Sequence, residues 1–129
     1  MKKILKYFIL TFIASSTLFS CKDDNEVVCN MIFTMITVEI EGEQLTGYYT
    51  IREATQDTLR LEQGVLFENN YPILTDAEFN LFEPLSVEDF RFLGFIDDEK
   101  VVDEAYRIGV DRCHVFKESG VSKVVLEDN

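Results

Sequence analysis

Positive charge is scarce in this 129-residue chain. Twelve Lys and Arg stand against 24 Asp and Glu, a formal net charge of −12. A nucleic-acid partner requires basic residues to neutralise phosphates, so this balance excludes one. It also argues against electrostatic attachment to an anionic bilayer, and otherwise it serves solubility. Histidine occurs once, at position 114, and cysteine three times, at 21, 29 and 113. No Cys-x-x-Cys pair is present, which removes the usual redox dithiol. Serine-nucleophile elbows, phosphate-cradling glycine loops, dinucleotide fingerprints and EF-hand spacing are all missing. The two prolines, Pro72 and Pro84, lie mid-chain, and no internal repeat is visible. No apolar run reaches the ~20 residues of a membrane-spanning helix.

An N-terminal leader is present. Lys2, Lys3 and Lys6 precede a stretch from Tyr7 to Phe19 that is apolar apart from Thr11, Ser15, Ser16 and Thr17. A basic start followed by a short apolar core is the pattern of a signal peptide, and residues 1–20 therefore stay out of the fold. Leu18-Phe19-Ser20-Cys21 resembles the lipobox of diacylglyceryl-modified lipoproteins, although Phe19 is larger than the residue usual there. The resemblance implies cleavage before Cys21 and acylation of its sulfur and amino group. The alternative is an ordinary secretory leader cut near Ser20. One acyl chain binds a bilayer only marginally, whereas two or three anchor it stably.

Lys22-Asp23-Asp24-Asn25-Glu26 follows. A lysine and an acidic run directly after the cysteine resemble the surface-export signal of Bacteroidota-type lipoproteins; they also suit a solvated tether. The resemblance implies a bacterial outer-membrane address with an outward-facing body. Loss of Lys2, Lys3 and Lys6 leaves nine basic residues against 24 acids in the mature chain, a net charge of −15.

The 109 residues from Cys21 onward suffice for one domain with one core. With Cys21 acylated, Cys29 and Cys113 remain. In an oxidising envelope such a pair reads as a disulfide, with two buried thiols as the alternative. A bridge there closes a loop of 84 positions. On the disputed chain-entropy argument it restricts the unfolded chain by roughly 4–5 kcal/mol.

Period-two alternation dominates the body. From Cys29 to Glu41, Ile32, Thr34, Ile36, Val38 and Ile40 share one face. Met31, Phe33, Met35, Thr37, Glu39 and Glu41 share the other, which predicts a long strand whose second face is covered in its first half. Gly42 marks a turn. A second strand runs from Tyr48 to Arg52, with Tyr49 and Ile51 on one face, and a short strand or ordered loop from Asp57 to Leu61. Gly64 breaks the chain before the apolar run Val65-Leu66-Phe67, and Glu68-Asn69-Asn70 turns it. Tyr71-Pro72-Ile73-Leu74 reads as extended and at a sheet edge, because proline cannot donate to a ladder. Thr75-Asp76-Ala77-Glu78 has capping-box form, and Phe79 and Phe82 follow on one face. This predicts about two helical turns ending before Pro84.

Phe90 to Ile96 reads as a strand covered on both faces. Asp97-Asp98-Glu99-Lys100 reads as a polar hairpin turn, and the returning strand carries Val102, Tyr106, Ile108 and Val110 on one face, with Glu104 as the exception. Gly109 suggests a bulge. Cys113 to Phe116 continues extended, Ser119-Gly120 turns, and Val121 to Leu126 forms a last strand. About seven short strands with one short helix predict an all-β fold: a single disulfide-stapled β-sandwich, with a barrel as the alternative.

Candidate chemistry is thin. His114 beside Cys113 suggests a metal ligand or a nucleophile pair. Neighbours on a strand point to opposite faces, however, so a histidine packed beside the disulfide is the simpler reading. Asp97, Asp98, Glu99, Asp103 and Glu104 read as a solvated charged turn. Tyr48, Tyr49 and Tyr71 fit either a sugar-stacking surface or ordinary strand packing. No catalytic residue, metal site or cofactor is predicted.

Two regions carry a further resemblance. One is Cys29 with the strand through Val38-Glu39-Ile40-Glu41-Gly42. The other is Gly109-Val110-Asp111-Arg112-Cys113-His114-Val115 with Ser119-Gly120. Together they resemble small Bacteroidota-type lipoproteins with an immunoglobulin-like or transthyretin-like (carboxypeptidase-regulatory-like) β-sandwich. This implies fold and address rather than activity, and it makes Cys29 and Cys113 the structural pair. The expected organisation is a signal peptide at 1–20, the lipidated Cys21 and acidic tether at 21–28, and the sandwich at 29–129. The expected role is a non-catalytic binding or structural accessory module. Its membrane contact is the lipid anchor, and its partner is another envelope protein or a glycan. A small envelope hydrolase is the competing class.

Overall fold

The computed structural model describes residues 27–61 and 69–127. The leader, Cys21, the run Lys22–Glu26, Gly64, Val65-Leu66-Phe67 and Glu68 lie outside the described residues. Eight strands are present among those described: β1 (Met35–Glu41), β2 (Gly47–Arg52), β3 (Asp57–Leu59), β4 (Asn70–Thr75), β5 (Val87–Ile96), β6 (Glu99–Val110), β7 (Val115–Ser119) and β8 (Lys123–Val125). They form two sheets, in the order β4-β1-β8 and β3-β2-β5-β6-β7. The fold is an all-β sandwich stapled by a Cys29–Cys113 disulfide.

The core lies between the two sheets and follows the alternation. Ile36, Val38 and Ile40 of β1 are buried, as are Ile73 of β4, Phe90 and Phe92 of β5, and Val102, Tyr106, Ile108 and Val110 of β6. Each fully buried side chain of this size stabilises the fold by roughly 1.5–3 kcal/mol relative to exposure. Leu93 is also buried, on the outward face of β5, so that strand is covered on both faces near its end.

The β5–β6 hairpin closes through Asp97 and Asp98, whose φ angles are +46° and +68°. Two consecutive left-handed residues give the primed turn whose twist matches the strands, and aspartate tolerates that region better than most residues. Pro72 sits on β4, an edge strand, and the register with β1 slips beside it, between Ile36 and Thr37. That places the residue without an N–H at a bulge. At Thr75 the predicted capping box forms, and a six-residue 3-10 helix, Asp76–Leu81, follows.

Three expectations need correction. The first strand begins at Met35, not Cys29, and Met31, Ile32 and Phe33 are exposed. The reason lies in the partner strand: β4 ends at Thr75, opposite Met35, because the capping box turns the chain there. Residues before Met35 have no ladder to join. Second, the last strand is shorter than Val121 to Leu126, running only over Lys123–Val125 as β8. It crosses to the other sheet and pairs parallel to β1 through Glu39↔Lys123, Ile40↔Val124 and Glu41↔Val125. Third, β6 and β7 slip register between Arg107 and Ile108, one residue before Gly109 rather than at it.

Gly120 makes the β8 crossover possible. Its φ is +126°, and a side chain there would run into the ring of Tyr106. Only glycine combines that backbone with so close an approach.

Candidate functional site

Two clusters gather His114, Cys113 and Tyr49 with their partners. The first is a polar knot at one end of the sandwich, where β1 begins, β4 ends, β6 ends and β7 begins. Asp76 opens the 3-10 helix, and its carboxylate accepts from Thr34 N at 2.7 Å and from Val115 N at 2.9 Å. His114 Nδ1 lies 2.7 Å from Asp76 Oδ2, and His114 Nε2 lies 2.7 Å from Asn30 Oδ1. Both ring nitrogens are therefore engaged. One carboxylate joins the N-terminal segment, the helix start and the β6–β7 loop.

Burial pushes the Asp76 pKa up. The N–H donors of Val115 and Thr34, with His114 beside them, outweigh that and hold it below the ordinary carboxylate value. Asp111, next to the disulfide, accepts from Cys113 N and His114 N at 2.6 and 2.7 Å. These donors lower its pKa as well. Cys113 is bonded to Cys29, with Cα atoms 5.3 Å apart, so it presents no thiol. The knot orders loops. Of the suggested Cys113–His114 pair, Cys113 has no thiol to act as nucleophile, and His114 contacts Asp76 and Asn30 through its two ring nitrogens.

The second cluster is an aromatic shelf on the outward face of the five-stranded sheet. Tyr49 and Phe95 stack with ring centroids 5.4 Å apart and planes 22° apart. The Arg60 guanidinium lies over the Tyr49 ring at 5.1 Å, within the range of a cation–π contact. Thr46, Gly47, Tyr48 and Asp98 complete an open recess of about 330 Å³. Thr46 Oγ1 accepts from Asp97 N at 2.9 Å and fixes the hairpin turn as the rim of that recess.

The three candidate tyrosines separate. Tyr48 and Tyr71 meet edge to face, with centroids 5.2 Å apart, and Tyr48 lies 5.8 Å from Phe92. Tyr71 is buried, and its hydroxyl accepts from Leu45 N at 3.0 Å. Tyr71 belongs to packing, Tyr48 packs against Tyr71 and Phe92 while also lining the recess, and Tyr49 carries the stack with Phe95. The shelf partners Arg60 and Phe95 escaped the sequence reading because they lie 11 and 46 positions from Tyr49. Of that distance only the alternation of β5 carried any signal.

The acidic turn is partly tied down. Asp103 binds Arg91 and Lys100, and these cations lower its pKa to about 2. Among the described residues no group of three or more His, Cys, Asp or Glu is placed to hold a metal ion. Comparison with known proteins finds no matching family model, no similar curated protein and no similar solved structure.

Proposed function

We propose that this chain is a bacterial outer-membrane lipoprotein, held through acylated Cys21, whose sandwich is a non-catalytic binding or structural accessory module. The carrying observation is the leader that ends in Leu18-Phe19-Ser20-Cys21. The Cys29–Cys113 disulfide supports the reading, because such bonds persist outside the reducing cytosol. The net charge supports it too: a strongly acidic body leaves membrane attachment to lipid rather than to protein surface. The resemblance to Bacteroidota-type surface lipoproteins, through Lys22-Asp23-Asp24, extends the proposal to an outward-facing body.

The engagement of Cys113 and of both His114 nitrogens favours the accessory role over a hydrolase. Tyr49, Phe95 and Arg60 are the residues we assign to partner contact, with a glycan or another envelope protein as the partner class. The deciding experiment is metabolic labelling of the full-length chain with a fatty-acid analogue. Wild type incorporates label and Cys21→Ala does not. Label retained by Cys21→Ala, or absent from wild type, overturns the anchor.

A further inference from the structure

Exposed apolar side chains are concentrated at one end of the sandwich. Val28, Met31, Ile32 and Phe33 are 90%, 102%, 68% and 61% exposed, and all precede β1. Leu81 and Leu85, from the helix and the loop after it, are 40% and 64% exposed. The register places them together: Met35 pairs with Thr75 just before the helix, and Val87 pairs with Gly109 just before the β6–β7 loop. Two open recesses at this end, of about 410 and 450 Å³, share Asp111 and Arg112, with Val28 lining one and Leu85 the other. Such a grouping calls for an occupant, since exposed apolar patches mark interaction surfaces.

The segment is held in place despite its exposure. Cys29 is bonded to Cys113, Asn30 touches His114, and Thr34 N donates to Asp76. The acids at this end divide: Asp76 and Glu88 are half-buried, whereas Asp111 and Glu83 are exposed. Asp76 and Asp111 accept backbone N–H groups, and Glu88 forms a two-point ion pair with Arg52 at 2.6 and 2.7 Å. Arg52 also donates to Leu81 O at 2.7 Å, fixing the helix end. Asp76, Asp111 and Glu88 are thus each engaged by donors, while Glu83 beside Leu85, and Asp23, Asp24 and Glu26 ahead of Val27 in the sequence, keep acidic groups next to the rim.

Chain length selects the occupant. Six positions separate Cys21 from Val27, so even a fully extended connection spans only ~20 Å. We propose that the rim formed by Val28, Met31–Phe33 and Leu85 rests in the headgroup region of the bilayer that holds the acyl chains of Cys21. The sandwich then stands on its disulfide end, and the β5–β6 turn and the Tyr49–Phe95 shelf project away from the lipid. This rests on the lipoprotein reading. The lipid surface is zwitterionic, because the mature chain is acidic overall.

The chain contains no tryptophan, so Phe33→Trp introduces a single indole at the rim, and Val125→Trp a single indole on exposed β8. The acylated full-length variants are reconstituted in phosphatidylcholine vesicles with brominated acyl chains, and flotation is scored alongside emission. The expected result is roughly twofold quenching of the Phe33→Trp indole and none of the Val125→Trp indole. Met31→Trp provides the same readout if Phe33→Trp fails to fold. Flotation without quenching at the rim overturns this proposal and leaves the anchor standing. Equal quenching at both positions overturns it too. A blue-shifted but unquenched rim indole shows that a second copy or another protein covers the rim, and this also overturns it. Acylated wild type that does not float overturns both readings.

Discussion

In the five-stranded sheet, three of the four strand junctions join consecutive strands; in the three-stranded sheet neither junction does. The difference sets what each sheet needs. The β5–β6 pair is closed by a two-residue turn, and ten residue pairs follow from it. Its register is a local property. The β1–β4 and β1–β8 pairings join segments far apart in the chain, so no turn sets their register. Loop closure must be offset by contacts made elsewhere. Those contacts are the Cys29–Cys113 bridge, the Asp76 carboxylate, and the Gly120–Tyr106 approach that admits β8. One sheet is specified by its turns and the other by its fasteners.

The largest expected effect comes from removing the covalent fastener. A Cys29→Ser/Cys113→Ser double variant releases a loop of sequence separation 84, and the expected loss is about 4 kcal/mol in urea unfolding. The comparison adds a sharper expectation: amides of β1 and β8 accelerate by more than the global loss accounts for, while the central amides of the β5–β6 hairpin shift only with global stability. A uniform rise in exchange across both sheets, or a loss below about 1 kcal/mol, would sink the distinction between turns and fasteners.

The same division explains what was legible in the chain. The inward face of β6, Val102, Tyr106, Ile108 and Val110, follows directly from alternation, and all four residues are buried. The Asp97-Asp98 turn and the Thr75–Glu78 capping box are local signals, and both form. The disulfide was legible by counting, because two cysteines remained once Cys21 was set aside. Contacts at long separation left no such trace. Alternation in Met31–Phe33 matches a strand, but the missing ladder partner is decided by β4, some forty positions later. The parallel placement of β8 depends on Gly120 meeting Tyr106, which no periodicity encodes. In the aromatic shelf Tyr49 was visible as a candidate, whereas Arg60 and Phe95 become its partners only through sheet geometry.

A smaller effect is expected at the Asp76 knot. Asp76→Asn keeps the shape but removes a charge that accepts two backbone N–H bonds and faces His114. Hydrogen bonds to charged groups are worth ~1.5–3 kcal/mol each, and the amide retains part of that, so the expected loss at neutral pH is about 2 kcal/mol. The pH dependence has a definite sign. The folded Asp76 pKa lies below its unfolded value of ~3.9, so its contribution is complete above that pH. It is lost as pH falls through the folded pKa. Urea midpoints measured from pH 6 to pH 2 should therefore show wild type converging on Asp76→Asn in the acid limb. Asp103, held low by Arg91 and Lys100, titrates alike in both proteins, whereas Asp111 loses the raising influence of the Asp76 charge and titrates lower in the variant. A gap that stays constant down to pH 2 would show that Asp76 acts by shape alone.

The smallest effect probes β8 itself. The Tyr106 ring is buried in the core, and its hydroxyl donates to Val121 O at 3.0 Å, in the crossover between β7 and β8. Tyr106→Phe keeps the ring beside Gly120 and removes only that bond, for an expected loss of about 1 kcal/mol. Where the loss falls matters more than its size. If β8 is held by fasteners, it should loosen before the rest of the sandwich. The two amides that report it are Glu39 N, bonded to Ser122 O at 3.0 Å, and Leu126 N, bonded to Glu41 O at 2.8 Å. Their exchange should accelerate severalfold in Tyr106→Phe, while Phe92 N and Glu104 N, central in the β5–β6 hairpin, shift only with global stability. Equal acceleration at all four positions would mean that β8 unfolds only with the whole domain, and that the small sheet, once assembled, is as cooperative as the large one.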